Sequence, residues 1–238
     1  MTIVVNGDSV QTGTERILML MQLFRIGLTA ISFSVIALAQ NTSDTPLQVR
    51  YASNLTYGDS LINITNTGAN GASLYGPGFG GAAGNICVNV YAFSPDEQLI
   101  SCCSCLITPN GLVNLSVNND LVSNTLTGVR PNSVMVKLLA TGAGATFSGT
   151  NCTNSAALAG TSAFPVVQGM VAWGTTIHAM VNPPAPPFTL TETQFAPATL
   201  SSEEKASITN RCANIIGNGS SFGICRSCRM GGLGAPRL

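Results

Sequence analysis

A short, cysteine-rich segment constrains the fold of this 238-residue chain more than any other part. Residues 86–105 read ICVNVYAFSPDEQLISCCSC and hold four of the eight cysteines. Residues 86–93 alternate as β-branched and aromatic strands do, residues 94–97 favour a tight turn, and residues 98–103 resume the alternation. The segment therefore predicts a β-hairpin with cysteines at its open end.

The hairpin also distributes its cysteines over two faces. A turn that pairs Ser94 with Glu97 predicts Val88 opposite Cys103, so that cysteines of both strands meet near one edge. Successive side chains of a strand point to opposite faces, and Cys102 and Cys103 therefore need different partners. The sequence predicts a disulfide hub at this hairpin.

The composition narrows the class of protein. Only 8% of the residues are charged and the formal net charge is zero, whereas an ordinary soluble domain has roughly 25% charged residues. The chain has no basic patch for nucleic acid, which argues against electrostatic recognition of a polyanion. Its Thr- and Asn-rich, β-branched sequence is typical of extracellular β proteins.

An apolar run near the N-terminus has the three parts of a secretory signal peptide. Arg25 supplies the positive charge, residues 26–39 form the apolar core, and the run ends in the small-residue exit Ala-Leu-Ala. We predict a signal peptide with an over-long start over residues 1–39, cleaved after Ala39 or Gln40. The alternative is a retained membrane anchor, but the run is shorter than the roughly 20 residues that a spanning helix needs. We therefore expect a secreted or cell-surface protein without stable membrane insertion.

All eight cysteines follow that segment, so an exported chain would form up to four disulfides. Three of them form a C-terminal trio, Cys212, Cys225 and Cys228. Three others form a cluster in the second hairpin strand, Cys102, Cys103 and Cys105. Since three is an odd number, full pairing within one chain needs at least one bond from the trio to an earlier cysteine. We predict that this bond reaches the Cys102 cluster, with Cys87 and Cys152 as the cluster's other partners.

Short alternating segments separated by turn residues recur along the mature chain. They predict strands at residues 60–65, 86–93, 98–103, 112–117, 134–140, 166–181 and 188–195. One helix follows, because Ser201 and Glu204 form a capping-box pair ahead of apolar residues at helical spacing. We predict a mainly β fold, an antiparallel β-sandwich of Ig-like or jelly-roll-like type with one C-terminal helix and disulfide staples. The predicted parts are a polar N-terminal arm at residues 40–59, the sandwich at 60–200, and the helix with a Cys-rich tail at 201–238.

The residues that suggest catalysis also have structural explanations. Cys225-Arg-Ser-Cys228 is a Cys-x-x-Cys motif, but it follows the predicted helix, whereas a thioredoxin-like site needs it at the start of a helix. A zinc site shared with the Cys102 cluster is a second alternative, although export favours oxidation of such thiols. His178 lies in an apolar strand, where we expect a packed residue, and no Gly-x-Ser-x-Gly elbow accompanies it. We therefore predict no catalytic residue, no metal and no cofactor, and a protein that is not an enzyme.

Three stretches of the chain carry a resemblance to a known family. They are ICVNVYAF at residues 86–93, CCSC at residues 102–105, and LSSEE at 200–204 together with NGSSFGICRSC at 218–228. They resemble an uncharacterised family of exported, cysteine-rich bacterial β proteins, some of which resemble subunits of extracellular filaments. The resemblance covers most of the mature chain and implies a structural role without an enzymatic one.

Two functions from different classes remain open. The first is a structural subunit of an extracellular bacterial filament or surface assembly, a fimbria-like homopolymer that grows by β-strand addition, because an extended peptide gains main-chain hydrogen bonds at an open sheet edge. The predicted assembly arm alternates apolar residues, namely Leu47, Val49, Tyr51, Leu55 and Tyr57. The alternative is a secreted carbohydrate-binding or adhesive module that stacks glycans on aromatic rings. The candidate rings are Trp173, which we expect in the core, and Tyr51, Tyr57, Tyr75 and Tyr91.

Overall fold

The computed structural model describes residues 45–75, 83–148, 152, 161, 163–180 and 187–226, and the backbone of 229–230. The predicted signal peptide lies outside the described residues. The strands are β1 Leu47–Ala52, β2 Leu61–Asn66, β3 Ile86–Phe93, β4 Leu99–Ile107, β5 Leu112–Ser116, β6 Val134–Gly142, β7 Met170–Ala179, β8 Phe188–Gln194, β9 Ala196–Pro197 and β10 Arg229–Met230. A single π-helical turn, Val117–Leu121, follows β5, and the α-helix α1 spans Ser202–Gly217.

These strands form two antiparallel sheets that pack face to face. Sheet A has the order β4-β3-β6-β1-β9. Sheet B has the order β10-β5-β2-β7-β8, in which β10 contributes only two residues at one edge. The predicted fold class is confirmed, since the described chain is mainly β, with two packed sheets, one helix near the C-terminus and disulfide-bonded cysteines.

The core has two compartments because sheet A is covered on both faces. Inward residues of β2 and β3, such as Ile64 and Val90, are fully buried between the sheets. On the other face of β3, Tyr91 and Phe93 are buried beneath α1 together with Ile208. Every residue of β3 is therefore buried, which explains its nearly continuous apolar sequence.

The helix begins where its capping residues predict. The hydroxyl of Ser201 accepts a hydrogen bond from the backbone N–H of Glu204 at 3.0 Å, which satisfies one of the free donors of the first turn. Its buried face presents Ile208, Cys212 and Ile215 to sheet A. This stripe at helical spacing holds α1 against the sheet, since full burial of one such apolar side chain contributes about 1.5–3 kcal/mol.

The central hairpin forms, but its predicted register is wrong by two residues. Val88 lies opposite Cys105, not opposite Cys103. The loop after Ser94 holds three residues rather than two and ends at Glu97, whose φ of 65° is typical of the bulge that follows a type I turn. A second irregularity near the end of β3 adds one more residue. A shift of two residues leaves every side chain on its predicted face, so the prediction that the cysteines occupy two faces holds.

Candidate assembly edge and binding surfaces

The two adjacent cysteines of β4 bind different partners, as predicted. Cys102 faces α1 and is bonded to Cys212, with their Cα atoms 5.9 Å apart. Cys103 faces the core between the sheets and is bonded to Cys225 at a Cα distance of 5.3 Å. The predicted link between the C-terminal trio and the Cys102 cluster is thus confirmed twice.

The predicted partners of the remaining cysteines need a correction. Cys87 and Cys152 are bonded to each other, not to the Cys102 cluster, with Cα atoms 5.6 Å apart. The side chain of Cys87 points away from the sandwich core, to which Cys103 and Cys105 contribute, and there it meets Cys152. Cys105 is also disulfide-bonded, whereas Cys228 lies outside the described residues. The disulfides indicate an oxidising environment for the folded chain.

The cysteines of the disulfide hub are buried and oxidised. The cysteines of β3 and β4 are at most 3% exposed, and the described residues contain no free cysteine. In this part of the chain no group of three or more His, Cys, Asp or Glu side chains is arranged to hold a metal ion. The described residues also include no helix that is long and apolar enough to cross a membrane.

The hub covers part of one edge of sheet A, at Ile100 and Cys102 of β4. The N–H of Cys102 donates to the carbonyl of Gly223 at 2.8 Å, and the N–H of Cys225 donates back to the carbonyl of Cys102 at 3.2 Å. The N–H of Leu126 also reaches the carbonyl of Ile100 at 2.8 Å. Because Cys225 is covalently tied to Cys103, this cover is fastened to the strand whose edge it protects.

Two of the other edges are short. Strand β9 at the far side of sheet A contributes two residues that pair with Gln48 and Val49, and it ends in Pro197, which has no N–H to donate. Strand β10 at one side of sheet B also pairs through two residues, with Asn114 and Val113. Short edges offer few unpaired backbone groups to another chain.

Strand β8 forms the fourth edge, and it is long and open. Its last six residues are exposed, and within the described chain it pairs only with β7. The N–H of Met180 donates to the carbonyl of Pro187, and that of Phe195 donates to the carbonyl of Ala172, so odd-numbered residues face β7. In an antiparallel strand the alternate residues then direct N–H and C=O away from the sheet. These outward residues are Phe188, Leu190, Glu192 and Gln194.

A buried arginine fixes the position of this edge. From β1, the guanidinium of Arg50 donates to both the carbonyl and the hydroxyl of Thr193 at 2.8 Å, and to the hydroxyl of Thr176 at 2.6 Å. Burial lowers the pKa of Arg50 from its ordinary value, and the charge of Glu192 opposes that shift. These contacts tie β8 to the opposite sheet.

The residues predicted to form an assembly arm do not form a free segment. Leu47, Val49 and Tyr51 lie in β1, which pairs with β6 over its full length and with β9 in part. Leu55 is buried in the core after β1, and Tyr57 is half exposed. The alternation along β1 therefore reflects an internal strand, and releasing it as a donor would require opening sheet A.

The aromatic and histidine side chains also depart from expectation. Trp173 is 36% exposed on the outer face of sheet B, not in the core. His178 is exposed rather than packed, and its Nε2 lies 2.8 Å from the hydroxyl of Thr191. Tyr91 is fully buried and cannot serve as a stacking platform, whereas Tyr75 is among the exposed tyrosines. Among these candidates, Trp173 in β7 and Tyr51 in β1 are exposed residues of strands, at 36% and 56% exposure.

A surface groove of about 540 Å³ separates α1 from the hairpin turn. Tyr51, Phe93 and Met135 contribute apolar lining. Lys137 forms an ion pair with Glu204, and its Nζ lies 4.9 Å from the centre of the Phe93 ring. Since these central charges already neutralise each other, we assign no ligand to the groove.

No family model, curated protein or solved structure matches this chain. Its candidate functional features therefore come from its own geometry, which singles out the open edge of β8 and the exposed face around Trp173.

Proposed function

We propose that this protein is a structural subunit of an extracellular bacterial filament or surface assembly, joined by β-strand addition at the edge of β8. The observation that carries the proposal is the contrast between β8 and the other sheet edges. One edge is covered at Ile100 and Cys102 by the segment that Cys225 anchors and by Leu126, two end in two-residue strands, and β8 presents seven residues. An exposed edge of this length is a template for main-chain pairing with another chain.

The sequence of β8 favours this role over a passive edge. Natural edge strands are commonly protected by charged side chains, proline or a bulge, and β8 reads Phe-Thr-Leu-Thr-Glu-Thr-Gln, with Glu192 as its single charge and no lysine, proline or bulge. Threonine and phenylalanine, which make up four of its seven residues, have high strand propensity. Since β1 is already paired, pairing of intact sandwiches at β8 accounts for a contact between subunits better than donation of residues 40–59.

Blocking the outward hydrogen bonds of β8 tests the proposal. Leu190→Pro removes an N–H that points away from β7, so it should leave the sandwich folded and abolish assembly. Leu190→Thr is the matched control, because it shortens the same side chain and keeps the N–H. Electron microscopy and light scattering of the mature protein should show assembly of the wild type and the control only. A wild type that stays monomeric at high concentration, or a proline variant that assembles as well as the control, would contradict the proposal.

A second candidate function is a carbohydrate-binding or adhesive module, and the exposure of Trp173 favours it. The ring lies on the outer face of sheet B, where Asn63 donates to the carboxylate of Glu192 at 2.9 Å. An aromatic face beside amide and carboxylate groups suits stacking and hydrogen bonding of a sugar. Calorimetric titration with soluble oligosaccharides should detect binding that Trp173→Ala removes and Tyr75→Ala retains. Equal binding by both variants would exclude this site.

A further inference from the structure

We infer that the partner of the β8 edge is the β8 edge of a second copy of this chain, paired antiparallel about a two-fold axis at Thr191. The inference rests on the proposed assembly and specifies its contact. It follows from the backbone directions of β8, from the order of its side chains, and from the covering of the other long edge in the described chain.

The outward hydrogen-bonding groups select this register. Because even-numbered residues of β8 point outward, an antiparallel partner must pair even residues with even residues. Centring the pair on Thr191 sets Phe188 opposite Gln194 and Leu190 opposite Glu192, and the two-fold axis repeats both pairs. Every outward residue of both strands then has a hydrogen-bonding partner on the other copy. Moving the centre to Leu190 or to Glu192 leaves one outward residue of each strand without a partner.

The side chains agree with the same register. Thr189, Thr191 and Thr193 share one face of the strand because they are two residues apart. About an axis at Thr191, this residue faces its own copy and Thr189 faces Thr193, which forms a ladder of threonine pairs. Threonine pairs across strands are favourable, and these non-hydrogen-bonded positions bring Cα atoms to about 4.5 Å.

Charge disfavours a competing register. Glu192 is the only charged residue of β8, and its carboxylate accepts a hydrogen bond from the side chain of Asn63. An axis at Glu192 would place this carboxylate directly opposite its copy, and like charges at that position are destabilising. With the axis at Thr191, Glu192 faces Leu190 instead.

This contact is symmetric, so it closes once two copies have joined. Sheet B of one copy continues into sheet B of the other, and neither copy retains an open β8 edge. A filament or surface layer would then grow from such pairs through a second surface. The pair, not the single chain, is the building block.

Single cysteine substitutions test the register in the folded, disulfide-bonded protein. Thr191→Cys should form a covalent dimer on mild oxidation, because two copies of this residue face each other at a distance that a disulfide spans. Thr189→Cys alone should stay monomeric on a non-reducing gel, since its own copy is too far along the strand. An equal mixture of Thr189→Cys and Thr193→Cys should again give the dimer. Circular dichroism and mapping of the native disulfides verify that each variant folds.

The outcomes separate the inference from the proposed function. If the wild type assembles but Thr191→Cys does not cross-link, the two-fold register is wrong while assembly stands. Cross-linking of Thr189→Cys as efficiently as of Thr191→Cys would likewise overturn the register. If the wild type remains monomeric at high concentration, both the inference and the proposed function fail.

Discussion

The Cys102–Cys212 disulfide should stabilise the fold by less than its sequence separation suggests. In the chain-entropy model a bond across 110 residues contributes about 4.8 kcal/mol. Cys103–Cys225, however, starts at the adjacent residue and already closes most of this loop in the unfolded chain. The loop that remains runs from Cys102 to Cys103 and from Cys225 back to Cys212, about 14 residues, which corresponds to about 3 kcal/mol. We therefore expect Cys102→Ala with Cys212→Ala to lower the free energy of unfolding by about 3 kcal/mol.

Urea unfolding without reductant, followed by the fluorescence of Trp173 and extrapolated linearly to water, measures this difference. The matched control is Cys87→Ala with Cys152→Ala. That bond spans 65 residues and has no neighbouring bond beside it, so its removal should lower the free energy of unfolding by about 4 kcal/mol. A loss near 5 kcal/mol for the Cys102–Cys212 pair would refute the shared-loop argument, as would a larger loss than that of the control.

Three further predictions concern buried groups. Cys105 is disulfide-bonded and Cys228 is the one cysteine of the sequence that remains for it, so peptide mapping without reduction should recover the two in one linked fragment. Gly174→Val should lower the free energy of unfolding by about 1–3 kcal/mol, because a Cβ there would lie 2.6 Å from Nε of Arg50; urea unfolding measures it. Burial raises the pKa of Tyr91, so the unfolded side chain ionises first as pH rises. The contribution of neutral Tyr91 to the free energy of unfolding is therefore complete below the ordinary tyrosine pKa of about 10 and is lost as the pH rises above it. Tyr91→Phe should weaken this loss of stability at alkaline pH, as measured by urea unfolding at a series of pH values.

Matched variants distinguish these effects from general damage. Gly217→Ala places a Cβ with no atom within 4 Å, so it should not destabilise the protein, and a loss equal to that of Gly174→Val would refute the Arg50 explanation. Tyr75→Phe changes a tyrosine that is 74% exposed and should keep the alkaline loss of the wild type. The hydroxyl of Tyr91 has no hydrogen-bond partner in the described part of the chain, so Tyr91→Phe removes no hydrogen bond seen there. Identical pH profiles for Tyr91→Phe and the wild type would contradict the assignment, and a free thiol at Cys228 would contradict its pairing.

Local patterns predicted most of the elements because their causes are local. The alternation of residues 86–93 coincides with β3, and the Ser201 cap sets the start of α1. The separate partners of Cys102 and Cys103 followed from the opposite directions of adjacent side chains in a strand, which does not depend on register. For that reason the disulfide prediction survived an error of two residues in the hairpin.

Features that depend on the whole sheet were not accessible from local patterns. The alternation at Leu47, Val49 and Tyr51 is the same for a free arm and for an internal strand, and only the pairing with β6 distinguishes them. Trp173 alternates like a core residue, yet its parity in β7 places it on the outer face. Which strand lies at the edge of a sheet is a property of topology, so the residues of β8 carry no signal of their own beyond the absence of lysine and proline.

The low content of charged residues bears on both the covered edge of β4 and the open edge of β8. With only 8% charged residues, the chain has few lysines or glutamates to repel other strands from its edges. The edge of β4 is instead covered by a backbone segment that ends at Cys225, and the Cys103–Cys225 bond fastens this cover. A covalent cover protects only the edge to which it is attached. In the described chain no comparable segment lies along β8, so the protection of the β4 edge has no counterpart there.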